Sequence, residues 1–275
     1  MAFEVASVKP SKVFKPPGFP LDYGDAKTPG GRLSTSFPLL AYISFAYKLS
    51  PSEMRAAALD QLPKSIGTDL FEIEARAAGN PTKDQMRLMM QALLADRFKL
   101  AVHFESREGP VLVLTLVKPG QTGPKLRPHA EGPACPDSFE MAAPFAPIPP
   151  RKAGDVFPSV CGYAQLQGTP DGMLVGSRNT TMGLIASDIS SYGSLAGEVD
   201  KPVVDQTGLT GRFDFTLDLP PRFFNIFPNP DNPPPDPQGA SFLKAVREQL
   251  GLRLVSSKGA IRTLVIDHVE RPSEN

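Results

Sequence analysis

The segment Asp231-Asn232-Pro233-Pro234-Pro235-Asp236 sets hard oxygen donors on a loop stiffened by three prolines, a combination that suits Ca²⁺. Asp231, Asn232 and Asp236 are the candidate metal ligands. Glu198, Asp200 and Asp205 make a second acidic set. For both sets the alternative role is turn closure, since Asp and Asn side chains hydrogen-bond their own backbone. Asp205 is also a candidate catalytic group, with Asp267 and His268. The chain holds three histidines. His268 directly follows Asp267, and neighbours on a strand point to opposite faces. His103 falls on the strand face opposite Leu100, Val102 and Phe104, a solvated position, and His129 sits in a Pro-rich segment. A zinc hydrolase needs three or four placed ligands, which three scattered histidines do not suggest, although carboxylates can complete a mononuclear site. Gly-x-Ser-x-Gly, P-loop, Cys-x-x-Cys and His-Glu-x-x-His motifs are absent. Phe223-Phe224-Asn225-Ile226-Phe227 is a dense aromatic cluster. Phe223, Phe224 and Phe227 are the candidates to hold an apolar substrate chain, as a lid over a pocket or as an anchor on the domain.

The elements that must position these groups read as one unit written twice. Phe71-Glu72-Ile73-Glu74-Ala75 alternates as a strand does, with Phe71, Ile73 and Ala75 inward, and Phe213-Asp214-Phe215-Thr216-Leu217 repeats it. In the first copy Arg32 to Ser34 is a short strand, and Leu39, Leu40, Ile43, Ala46 and Tyr47 share a helical face. Thr82-Lys83-Asp84-Gln85 is a capping box opening a helix whose stripe is Met86, Met89, Met90, Leu93 and Leu94. Strands over 99–104 and 111–117 follow, joined by a turn at Gly109-Pro110. The second copy has a strand over 172–175 and a helix carrying Met182, Ile185, Ala186 and Ile189. A hairpin then joins Val203-Val204 to Phe213–Leu217 around Gly208 and Gly211. A last helix buries Phe242, Leu243, Val246 and Leu250, ends at Gly251, and precedes strands over 252–255 and 261–269.

The fold class is therefore α+β: a tandem duplication of a β-α-β-β-α-β-β unit joined by a Pro-rich linker. Residues 1–118 form the first unit with its N-terminal strand, 119–171 the linker, and 172–275 the second unit. Prolines number 31 in 275 residues, without a collagen-like period. The formal net charge is zero, so nothing suggests a nucleic-acid partner. No apolar run approaches the roughly 20 residues that span a bilayer. Cys135 and Cys161 are the only cysteines. A bridge would close a loop of about 27 residues and contribute roughly 3 kcal/mol, which predicts a disulfide and an oxidising compartment. Two unpaired thiols are the alternative. No signal peptide precedes the strand-like Phe3-Glu4-Val5-Ala6-Ser7-Val8, so the expectation is either a mature form or a chain retained in the cell.

Four stretches carry a resemblance: Phe3 to Ser11, Leu93 to Leu100, Pro202 to Phe213 and Ile266 to Asn275. Together they resemble a large paralogous family of exported proteins abundant in soil Acidobacteria such as Solibacter. Members begin with a signal peptide, so the resemblance implies an exported protein in its mature form. Some relatives are fused behind membrane metallopeptidases of the antibiotic-sensor type, which implies a binding or sensor role. A soil-metagenome relative is associated with calcium-dependent hydrolysis of N-acyl-homoserine lactones. The resemblance thus implies a hydrolase that opens the lactone ring, with Ca²⁺ as cofactor and a small acyl lactone as ligand. The metal-ligand histidine motif of the well-known lactonases is absent here, so the site would be a different one. The order of elements also resembles the small N-terminal domain of secretins and TonB-dependent receptors. The alternative function is accordingly a non-catalytic ligand- or protein-binding module.

Overall fold

The computed structural model describes residues 1–18, 21–25, 30–50, 53–54, 69–130, 132–135, 157–158, 161–169, 172–220 and 241–272. In chain order the elements are β1 (Val5–Ser11), β2 (Arg32–Pro38), α1 (Leu39–Ala46), β3 (Leu70–Arg76), α2 (Lys83–Arg97) and β4 (Ala101–Leu116). Next come β5 (Leu126–Pro128), β6 (Gln165–Thr169), β7 (Gly172–Thr180), α3 (Met182–Leu195) and β8 (Val203–Asp205). Then follow β9 (Phe213–Leu219), α4 (Phe242–Ala245), which passes into a π-turn at Val246–Leu250, and β10 (Leu252–His268). The chain is a mixed α+β protein with three sheets, in the orders β1-β3-β2, β10-β4-β8 and β5-β9-β7-β6. It divides into two compact units. The first comprises the described residues of Met1–Arg107 and Ala260–Asn275, the second those of Glu108–Pro136 and Pro147–Gly259. Among the described residues no helix is long and apolar enough to cross a membrane.

In the first unit, alternation in β3 turns Phe71, Ile73 and Ala75 inward, where all are buried, and leaves Glu72, Glu74 and Arg76 on the other face. β1 and β2 flank β3, both antiparallel, with Val8 and Thr35 opposite Ile73. The predicted stripe of Met86, Met89, Met90, Leu93 and Leu94 is buried against this sheet and α1. Thr82 and Gln85 cap α2 reciprocally, as the motif predicts. Phe71 and Phe98 meet edge to face at 5.0 Å. The buried Tyr42 hydroxyl donates to the Phe71 carbonyl at 2.6 Å and accepts from the Phe37 N–H at 3.0 Å. Burial pushes its ionisation well above the usual phenol range. Two cations are buried as well: Lys83 pairs with Asp22, and Arg87 donates to the Gly24 carbonyl at 2.6 Å. Desolvation lowers the Lys83 pKa, opposed by the Asp22 carboxylate.

In the second unit, β9 is an inner strand between β5 and β7, and Phe213, Phe215, Leu217 and Leu219 are buried. Met182, Ile185, Ala186 and Ile189 cover them from α3, with Phe242, Val246 and Leu250 from the last helix. Gly251 ends that helix at φ 69°, the left-handed conformation a glycine adopts without Cβ strain.

Three expected features are corrected. The paired strands over 99–104 and 111–117 are one strand, β4, and those over 252–255 and 261–269 are one strand, β10. Pro110 does not break β4. The Leu112 N–H donates to the Pro202 carbonyl on the β8 side, and Pro110, two residues earlier, faces that side past the end of β8. A missing N–H therefore forfeits no ladder bond there. The strand expected from residue 99 begins only at Ala101, because Lys99 turns left-handed at φ 50° as α2 ends. Finally, β8 and β9 do not form a hairpin. β8 pairs in parallel with Leu112–Leu114 of β4, while β9 joins β7 and β5 in a different sheet. The turn glycines Gly208 and Gly211 do take positive φ, at 71° and 94°, but their turn passes the chain from one sheet to another.

Candidate active site

The strongest chemical constellation lies on the outer face of the second unit's sheet. β5 pairs antiparallel with β9, placing Arg127 opposite Asp214, and the His129 N–H continues the ladder to the Arg212 carbonyl at 2.8 Å. Because Phe213 and Phe215 point into the core, Asp214 points away from it, toward His129. His129 Nδ1 and Asp214 Oδ1 are 2.7 Å apart, with the two side chains 18% and 32% exposed. An ionised carboxylate can only accept, so Nδ1 donates in this contact, and in the neutral tautomer that makes it Nε2 is the acceptor.

The carboxylate is held from a second strand. β7 shifts register between Ser177 and Thr180, and there Asn179 adopts φ 49°. Asparagine tolerates this left-handed conformation better than most side chains, and the bulge turns its N–H onto Asp214 Oδ1 at 2.8 Å. Arg212 Nε donates to the Asn179 carbonyl at 2.9 Å, and its guanidinium also reaches the Asn179 side-chain oxygen. Asn179 Nδ2 donates to Cys135 Sγ at 3.6 Å.

Cys135 and Cys161 form the expected disulfide. The buried Arg178 ties the same segments together, donating from Nε to the Pro158 carbonyl at 2.7 Å and from Nη1 to the Pro133 carbonyl at 2.8 Å. The Gly162 N–H returns to the Arg178 carbonyl at 2.8 Å. A continuous line of contacts thus runs from the disulfide through Asn179 to Asp214 and His129. It leaves one imidazole oriented and partly sheltered from solvent.

Of the residues singled out in the sequence, the described ones, Asp205, Asp267 and His268, make other contacts. Asp267 faces His103, whose Nδ1 lies 2.9 Å from its carboxylate, on a solvent-exposed surface. That hydrogen bond raises the His103 pKa. His268 points the other way, and its Nε2 meets Glu270 at 2.8 Å. Asp267 and His268 therefore belong to two separate exposed pairs. Asp205 accepts from the Thr207 N–H at 2.9 Å and its hydroxyl at 2.8 Å, closing a turn. Glu198 accepts from the Phe242 N–H at 2.6 Å and the Leu243 N–H at 3.2 Å, capping α4. Phe223, Phe224, Phe227, Asp231, Asn232 and Asp236 lie outside the described residues. Among those described, no three His, Cys, Asp or Glu side chains converge on a point that could hold a metal ion. Of the second acidic set, Glu198 and Asp205 are thus committed to a cap and a turn, and Asp200 is exposed.

The His129–Asp214 pair carried no sequence motif. Its two members are 85 residues apart and meet only because β5, which lies inside the segment expected to be linker, pairs with β9. Neither a curated protein nor a solved structure matches the chain. The model of one family, described as a protein of unknown function (DUF3738), matches residues 40–269, and the chain belongs to that family.

Proposed function

We propose that this protein is an exported hydrolase that opens the lactone ring of N-acyl-homoserine lactones. The observation that carries the reading is the His129–Asp214 pair, a half-buried imidazole oriented by a carboxylate that is itself held by a backbone N–H. In this reading His129 Nε2 takes a proton from water as the water oxygen attacks the ring carbonyl carbon. Asp214 stabilises the imidazolium that forms. The carbonyl–ring oxygen bond then breaks, and His129 returns the proton to the leaving alkoxide. One water is consumed and one hydroxy acid is released. Phe223, Phe224 and Phe227 are assigned to the acyl chain, and Asp231, Asn232 and Asp236 to calcium. Export is supported by the disulfide, which persists in oxidising compartments.

The test is conversion of N-hexanoyl-homoserine lactone to the ring-opened acid, followed by mass spectrometry with and without a calcium chelator. His129→Gln should lose about 10²-fold or more in kcat/KM, the usual contribution of a positioned base. Asp214→Asn should lose activity too while keeping the fold, checked by circular dichroism. Wild-type turnover in both variants would end the assignment to this pair. Substrate left intact by the wild-type protein would favour a second reading, a non-catalytic binding or sensor module, which an open cleft in the first unit supports.

A further inference from the structure

A cleft of about 1000 Å³ opens against one end of the first unit's sheet, lined by Glu4, Val5, Arg32, Ser34, Glu74 and Arg76 among others. The β2–β3 register sets Arg32 directly opposite Arg76, two residues along from the Ser34–Glu74 pair. Between these pairs, Leu33 and Ala75 are buried on the inner face. Alternation therefore brings both guanidinium groups out together on the other face. Like charges directly opposite on a sheet are destabilising, yet among the described residues neither arginine side chain has a hydrogen bond or ion pair.

Glu74 attracts Arg32 at a distance, but its carboxylate is bonded to other partners. Glu74 accepts from Lys15 Nζ at 3.3 Å and from the Ser34 hydroxyl at 3.2 Å. These two bonds, with Lys15 foremost, hold its carboxyl below the usual carboxylate range. Lys15 also binds Glu72 at 3.1 Å. Glu4 meets Arg76 through the backbone, its N–H donating to the Arg76 carbonyl at 2.8 Å. The floor is set by a close backbone approach. The Ala77 N–H donates to the Gly31 carbonyl at 2.7 Å, and a Cβ on Gly31 would lie 2.7 Å from the Ala77 carbonyl oxygen.

We propose that this cleft binds a small organic monocarboxylate, its oxygens gripped by the Arg32 and Arg76 guanidiniums. Opposed side chains on paired strands have Cβ atoms about 4.5–5.5 Å apart, close enough for two forks to converge on one carboxylate. A single negative charge matches the site better than a phosphate dianion, because Glu4 and Glu74 share the lining and repel extra negative charge. Val5 and Ala77 offer an apolar wall for the rest of the molecule. This site lies in the first unit and is independent of the hydrolysis assigned to His129.

The probe is N-acetylglycine, titrated calorimetrically against its neutral isostere N-acetylglycinamide and inorganic phosphate at constant ionic strength. The acid should bind saturably and at least tenfold tighter than the amide or phosphate. Arg32→Gln and Arg76→Gln should each weaken it at least tenfold. Their ligand-free Tm should hold or rise, because the like-charge contact is gone. Arg32→Lys and Arg76→Lys preserve charge while removing the fork, and should also bind more weakly at unchanged Tm. Equal affinity for the amide, tighter binding of phosphate, or unaltered affinity in the Gln variants would overturn the proposal.

Discussion

Removing the Cys135–Cys161 bond, by reduction or as the double Cys→Ser variant, is the perturbation with the best-defined cost. The bridged residues are 26 apart in sequence. Closing a loop of that length lowers denatured-state entropy by about 12 cal/mol/K, or about 3.5 kcal/mol at 25 °C, on the chain-entropy model. The folded state gives little back, since Arg178 still bonds the Pro133 and Pro158 carbonyls without the bridge. The size of the Tm shift depends on what melts together. If the second unit, roughly 140 residues, unfolds on its own, its unfolding entropy near 2.1 cal/mol/K per residue gives a fall of about 12 °C. If the whole chain unfolds as one, the same loss spreads over 275 residues and the fall is about 6 °C. Differential scanning calorimetry of oxidised and reduced protein reads both the shift and the number of transitions. Both units should remain folded at 25 °C, and lactone turnover should fall because Cys135 supports Asn179, which holds Asp214. A shift under about 2 °C would refute the entropic reasoning. Unchanged turnover would refute the link from the disulfide to the imidazole.

Gly251→Ala should cost more than about 1 kcal/mol, for the left-handed φ of 69° and for a Cβ placed 2.5 Å from the Gly123 nitrogen. Gly208→Ala, at φ 71° with open space around it, should incur only the conformational cost, so the difference in urea midpoint isolates the close approach. The His103–Asp267 hydrogen bond raises the His103 pKa, so its stabilisation is present below the unfolded value near 6.5 and is lost as pH rises through the folded value. The Tm difference between wild type and Asp267→Asn should therefore shrink from pH 5.5 toward pH 8.5, and a flat difference would refute the pairing.

Local patterns along the chain settled much of the architecture. Spacing alone placed the Met86–Leu94 stripe in the core, because helical periodicity decides which face is apolar before any partner is known. The cap at Thr82 and the helix stop at Gly251 needed only side-chain and backbone chemistry within a few residues. The inward face of Phe71 and Ile73 followed from strict alternation, and the lone pair of cysteines in the Pro-rich middle announced their bond.

What the sequence could not supply was strand partnership. Alternation marks a strand without naming its neighbour, so β8 reads as half of a hairpin, whereas the fold makes it the parallel partner of β4. Gly109-Pro110 reads as a turn, and only the open edge beyond β8 lets the proline stay in a strand. No local pattern marks Lys83 and Arg87 as buried, yet Asp22 and the Gly24 carbonyl allow both to be so. The same limit hid the candidate active site. His129 and Asp214 have no spacing in common with a known motif. Their meeting depends on β5 joining β9, on a bulge at Asn179, and on a disulfide that anchors the bulge. Local sequence fixes which groups a residue presents, and long-range pairing decides which groups they face.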